Sequence, residues 1–458
     1  MILSNTHQTR RTIRAAVAGM IAGAIVVGGV AICRMPHRAA TGLAAELAPD
    51  PAVLHYHYPN PTVQRATAAD EASTITALEL RVKTTPTPFD YAELGDLYLR
   101  RAQVNNDPAD YQTAETAAKR SLEMLQSPNG AVLTLAKLAE IRHDFRAAID
   151  LAHQHKKRSA GAQIIIATAH LAMGELREAG DAARAAIDIK PDLAGYFMLA
   201  LIMQAQGRDA EAAFDFAAAA RHEEQGDLQG SARLRALWGR FLLRRGALDG
   251  ARQAFDEALR IVPEFPLALA YRGELALRTG HAAEAATWFD KAFAGSRQVR
   301  YLIDQARAQE LSGDRDGADA LRTQVEAIVR SELVEGGLGH RLDLAEVLID
   351  RGRPADLVEA VALAREEVSR RGSFEARFQL ARGLARTHAT DEAMREVQTA
   401  LASGAHEAQL YELASELEAQ HGNPAAAALY AKLADRLDPG SSGWRKIGLT
   451  GAVTSGGK

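Results

Sequence analysis

The chain has 458 residues, of which 47% are hydrophobic, 24% charged and only 5% aromatic, with a net charge of −4. That length exceeds what one compact core supports, so the chain divides into domains or repeats, and its abundant alanine points to an all-α body. A mildly acidic chain without basic runs is a poor binder of nucleic acid, and the single cysteine, Cys33, excludes an intrachain disulfide.

Residues 1–38 hold five arginines and no acid, so the rest of the chain carries −9. After a short segment, 1–14, residues 15–33 (AAVAGMIAGAIVVGGVAIC) contain no charge and no strongly polar side chain. As a helix this stretch is about 28 Å long, close to the thickness of a bilayer's hydrocarbon core. It is expected to be a single transmembrane anchor. Arg10, Arg11 and Arg14 precede it and Arg34 and Arg38 follow it. That bias weakly favours a cytoplasmic amino terminus, placing the body outside the cytoplasm at a bacterial inner membrane. The competing reading is a cleaved signal. Thr9-Arg10-Arg11-Thr12-Ile13 is similar to a twin-arginine export signal, and Gly42-Leu43-Ala44 offers a loose cleavage site. The product would then be a soluble secreted or periplasmic carrier. Cys33 ends the apolar run; a lipid-modified cysteine wants a small residue before it, and Ile32 is not small.

Residues 34–87 read as a linker. They hold Pro36, Pro49, Pro51, Pro59, Pro61 and Pro86, and helical periodicity only near 66–82. Within them His55-Tyr56-His57-Tyr58 places two histidines on one side of an extended segment. No third ligand stands nearby, so the expectation there is solvated chain and no metal.

From residue 88 the sequence repeats. Alanines recur at Ala114, Ala148, Ala179, Ala212, Ala251, Ala285, Ala318, Ala360, Ala393 and Ala427, with gaps of 34, 31, 33, 39, 34, 33, 42, 33 and 34. Their neighbours agree. Glycine stands five before at Gly174, Gly207, Gly246, Gly280, Gly313 and Gly422, where a helix must stop and turn. A second small residue follows seven later at Ala186, Ala219, Ala258, Ala292, Ala400 and Ala434. Between the two lies an aromatic at Phe216, Phe255 and Phe289, and Pro191, Pro263 and Pro439 close units. In the preceding helix Leu94-Gly95 with Tyr98, Trp238-Gly239 and Gly273 supply a small residue facing the partner helix.

On these residues the chain resembles the tetratricopeptide repeat (TPR) family over 88–440. The units ending RGALDGARQAFDEALRIVP and MGELREAGDAARAAIDIKP carry the resemblance most closely, whereas Glu367 and His155 stand where a small residue is expected. The resemblance implies a right-handed superhelical solenoid of about ten helix pairs with a concave groove that holds protein or peptide partners.

Nothing points to catalysis, to a cofactor or to a metal: there is no phosphate-binding glycine loop, no His-x-x-x-His pair in an acidic setting and no cysteine ligand set. The expected work is binding, as a scaffold in envelope assembly or protein-complex maturation; a remoter reading is a non-catalytic enzyme subunit. Carried over from the family, the first-helix positions that face the groove give an apolar zone, Ile164, Phe197 and Leu201. They also give a basic zone, Arg233, Arg240, Arg244, Arg307 and Arg382, suited to carboxylates. Residues 441–458 read as a disordered tail. The stripe Leu429, Leu433 and Leu437 of the last unit then lacks a following helix. Either Trp444 folds back onto it or a second copy covers it, giving a homo-oligomer.

Overall fold

The computed structural model describes residues 46–57, 61–105, 107–125, 127–155, 159–334 and 340–441, all within one compact unit. The expected membrane segment 15–33 and Trp444 lie outside the described residues. Among those described, no helix is long and apolar enough to cross a membrane.

One turn of helix, α1 (Pro51–Leu54), and a long helix, α2 (Pro61–Thr84), precede the repeats. Among the described residues twenty further helices, α3 to α22, follow as ten successive pairs. The first five pairs are α3 (Pro88–Asn105) with α4 (Pro108–Met124), α5 (Ala131–Ile141) with α6 (Phe145–Gln154), α7 (Ala160–Met173) with α8 (Leu176–Ile189), α9 (Leu193–Ala205) with α10 (Asp209–Arg221), and α11 (Leu228–Arg244) with α12 (Leu248–Ile261). The last five are α13 (Pro266–Arg278) with α14 (Ala282–Ser296), α15 (Val299–Ser312) with α16 (Arg315–Val334), α17 (Arg341–Arg351) with α18 (Pro354–Arg370), α19 (Phe374–Arg386) with α20 (Thr390–Ala402), and α21 (Ala408–Gln420) with α22 (Pro424–Leu437).

The periodic small residues are the seam of this array. Nine of the ten recurrent alanines, Ala114 to Ala393, are fully buried; the tenth, Ala427, lies on the last described helix and is only half-buried, with no further pair stacked on it among the described residues. The first-helix glycines are there for close approach. A Cβ on Gly239 would stand 2.5 Å from Phe255 Cε1, and one on Gly273 2.8 Å from Phe289 Cζ. Where the eighth pair departs from the repeat, Glu367 is buried at the seam and accepts a hydrogen bond of 2.6 Å from Arg371 Nε. A carboxylate is tolerated at that point only because a guanidinium neutralises it.

Two regions differ from the expectations. The described part of the 34–87 linker is not free chain. Leu47, Leu54 and Tyr56 are 3, 4 and 2% exposed and pack among residues of α10 to α13. Arg235 Nε donates to the Leu54 carbonyl at 2.6 Å, the Tyr56 amide donates to Glu257 Oε1 at 2.5 Å, and Arg260 Nη2 donates to the Tyr56 carbonyl at 2.8 Å. Proline frequency marks 46–57 as a stretch without a long helix, although 61–84 forms one, and it carries no information on contacts formed with residues some 200 positions away. The chain then returns to the first pair through α2, whose Ile75 and Leu78 pack beside Leu94 and Tyr98.

The second difference is at the carboxyl end. The array curls until its last loops rest on its earlier turns. The His406 amide donates to the Ala205 carbonyl at 2.8 Å, and Arg371 lies over the Phe145 ring at 5.8 Å. Arg245 Nη1 donates to the Leu437 carbonyl at 2.6 Å, and Arg278 pairs with Asp438, both nearly fully buried. Gly207 and Gly246, both at positive φ (68° and 76°), end their helices and also leave room for His406 and Pro439. In the last unit Leu433 and Leu437 are partly buried against the core of their own and the preceding pairs, and Leu429 is exposed.

Candidate functional site

The curl converts the inner face of pairs five to ten into a cavity of about 520 Å³. Its wall comes from successive first helices: α11 gives Arg240 and Arg244, α13 Tyr271 and Glu274, α15 Arg300, Tyr301, Asp304 and Arg307. The later first helices complete it: α17 gives Asp343 and Glu346, α19 Glu375, Phe378, Gln379 and Arg382, and α21 Glu412. Each helix contributes residues three or four apart, the spacing that puts side chains on one face. Six arginines and seven carboxylates line the space, counting Arg371 and Glu407 from the loops. Near-balance of charge gives no net positive field for a polyanion.

Most of these charges are committed to one another. Glu346 accepts from Arg300 Nη1 at 2.7 Å, Arg307 Nη2 at 2.9 Å and Gln379 Nε2 at 3.0 Å. Burial alone would push its pKa up, but Arg300 and Arg307 outweigh that and hold it well below the usual carboxylate range. Arg382 donates to Asp350 Oδ1 at 2.6 Å and to Gln379 Oε1 at 3.0 Å. Asp343 is the less compensated acid: burial pushes it up to about 6, with Arg300 Nη1 at 3.8 Å drawing it down only in part. Arg244 is held more loosely, with Glu407 at 3.4 Å and Glu274 at 3.8 Å.

Arg240 stands apart. Its guanidinium lies over the Tyr271 ring at 5.4 Å, and its buried Nε has no hydrogen-bond partner among the described residues. Burial disfavours its charge, yet Tyr271, Glu274 and Glu407 outweigh that and raise its pKa, so it remains a cation.

The expected basic zone is thus divided. Arg240, Arg244, Arg307 and Arg382 line one cavity, but Arg307 and Arg382 are ion-paired within the chain, and Arg233 is exposed and outside the lining. Ile164, Phe197 and Leu201 are not brought to the cavity; they are half-buried against the core of the earlier pairs, with the Phe197 ring 6.3 Å from that of Phe216. Reading the arginines alone missed the partners. Asp304, Asp343, Glu346 and Asp350 lie on the same helix faces, three or four residues from one another or from an arginine, and that spacing was visible in the sequence.

No family model matches the chain, and no curated protein matches it. Solved structures that overlap it include the Cut9–Hcn1 hetero-tetramer of the APC/C, at 10% identity over 82% of this chain and 92% of that one, TM-score 0.38. The human IFIT1 dimer with PPP-AAAA overlaps at 14% identity over 86% of this chain and 94% of that one, TM-score 0.45. A tetratricopeptide repeat protein from Parabacteroides merdae overlaps at 15% identity over 51% of this chain and 92% of that one, TM-score 0.36. The partners named for those proteins remain theirs.

Proposed function

We propose that this chain is a TPR-like scaffold, fastened to a bacterial inner membrane through residues 15–33, whose inner cavity holds a segment of a protein or peptide partner without catalysing a reaction. The body would lie outside the cytoplasm and serve envelope assembly or the maturation of a protein complex. The observation that carries the binding reading is Arg240. The other arginines of the wall are each ion-paired to a carboxylate of the chain; among the described residues Arg240 is the lining arginine without such a pair, and its buried Nε has no acceptor. A buried donor without an acceptor costs about 1–3 kcal/mol. A partner carboxylate or carbonyl recovers that loss, and Tyr271 supplies a flat surface beside it.

The test is recovery of partners from detergent-solubilised membranes with the full chain and with Arg240→Gln. Arg244 is left intact because it also reaches Glu407 across the closure. Loss of a recovered partner by tenfold or more, with unchanged far-UV circular dichroism, supports the reading. Equal recovery removes Arg240 from the site. Release of the full-length chain by alkaline carbonate would separately overturn the anchor.

A further inference from the structure

We propose that the groove between α10 and α12 is a second peptide-binding site of this protein, and that residues 46–57 occupy it as a resident ligand of the chain itself. It is separate from the cavity, whose lining includes none of Leu47, Leu54, Tyr56, Arg235, Glu257 and Arg260.

The segment is buried as a bound peptide is, not as a core element is. Leu47, Leu54 and Tyr56 are sunk, while Glu46, Ala48, Asp50, Pro51, Ala52, His55 and His57 between and around them are exposed. It runs alongside α12, with Pro49 beside Gly250 at one end and Tyr56 beside Glu257 and Arg260 at the other. Its main chain is read by side chains of the solenoid, the mode in which backbone bonds hold an extended segment and pockets choose its residues. The Leu54 carbonyl, at the end of a one-turn helix, has no partner further along that helix, and Arg235 supplies one. The next two backbone bonds bracket Tyr56, whose ring lies 5.5 Å from the Arg235 guanidinium.

The readers are fixed in advance. Arg235 is fully buried and held by Glu223 at 2.8 and 3.0 Å, bonds within the solenoid that direct its Nε at the Leu54 carbonyl. An emptied groove would leave that donor open, and would leave Glu257 with its Arg260 partner alone. It therefore selects a replacement of the same pattern: aliphatic residues seven apart and an aromatic two further on, one helical turn leading into extended chain.

The experiment uses the full chain with Leu54→Ala and Tyr56→Ala together, titrated into a fluorescein-labelled peptide of residues 45–58. The peptide should bind this variant at least tenfold more tightly than it binds the unaltered chain, whose groove is filled. A peptide carrying Tyr56→Ala should lose at least tenfold. Absence of binding to a folded variant overturns the proposal. Should the variant not fold, hydrogen exchange of the unaltered chain decides. A detachable ligand lets the Tyr56 amide exchange at least tenfold faster than those of Leu242 and Phe255, and equal rates make the segment ordinary core.

Discussion

Gly239 and Arg240 are neighbours on α11, and they show two kinds of surface that one helix must carry. Gly239 faces Phe255 of the partner helix, at a separation where even a methyl group would stand 2.5 Å from the ring. Arg240 faces the cavity, over Tyr271, with an unfilled donor. The seam is local: it joins residues of one pair or of adjacent pairs, and its chemistry is the fit of small residues to large ones. The wall is assembled from six pairs and takes shape only once the array has curled, and its chemistry is charge compensation. Damage to the seam should therefore cost helix packing, and damage to the closure should cost the wall while leaving the pairs intact.

The largest effect is expected at the closure. Arg278 and Asp438 pair with side chains 4 and 2% exposed. Removing one partner of such a pair leaves a buried charge uncompensated, typically about 3–5 kcal/mol. Asp438→Ala should lower the thermal midpoint and enlarge the radius of gyration in small-angle scattering, with helical content unchanged. An unaltered radius would mean that the loop contacts from His406 and Arg245 hold the curl without it.

Next comes the seam. Gly239→Ala places a Cβ against Phe255 Cε1 and 3.1 Å from Ala254 Cβ. Overpacking of this kind costs about 1–3 kcal/mol. Here the loss should appear in hydrogen exchange of α11 and α12 first, because each pair is stabilised mainly by its neighbours. If Asp438→Ala opened the same amides, seam and closure would not be separable.

This division also explains what could be read from the chain. Ala251, Phe255 and Gly239 announce themselves because a repeating contact leaves a repeating residue, and the ten pairs follow from that spacing. The closure leaves no period. Arg245, Arg278 and Asp438 meet across more than 150 residues, and nothing local marks them as partners. The burial of segment 46–57 leaves no local mark for the same reason: its prolines describe its own backbone, whereas its contacts are with Arg235, Glu257 and Arg260 far along the chain. For the wall, facing positions gave four lining arginines, but their free or paired state depends on how closely α15, α17 and α19 approach.

The smallest effect concerns the wall's own charges, and its sign depends on pH. Asp343 has a pKa raised from 3.8 to about 6, chiefly by burial, with Arg300 and His340 opposing that and Glu346 and Asp304 reinforcing it. An acid whose folded pKa is raised holds its proton in the folded state where the unfolded chain has lost it. Its contribution therefore falls as pH rises from about 4 to about 6, and the full penalty persists above that. Asp343→Asn removes the charge that burial penalises, while Arg300 keeps Asp304 at 2.9 Å and Glu346 at 2.7 Å. The variant should be more stable than the unaltered chain at pH 7, by about 1–2 kcal/mol after allowing for relaxation of a partly accessible wall. Near pH 4, where the aspartic acid is already protonated in the folded state, the two should converge. The measurement is the difference in unfolding midpoint across pH 4–7. A difference that stays constant, or grows toward acid, would show that Asp343 is ionised and held by Arg300, and that the wall's carboxylates are fully compensated.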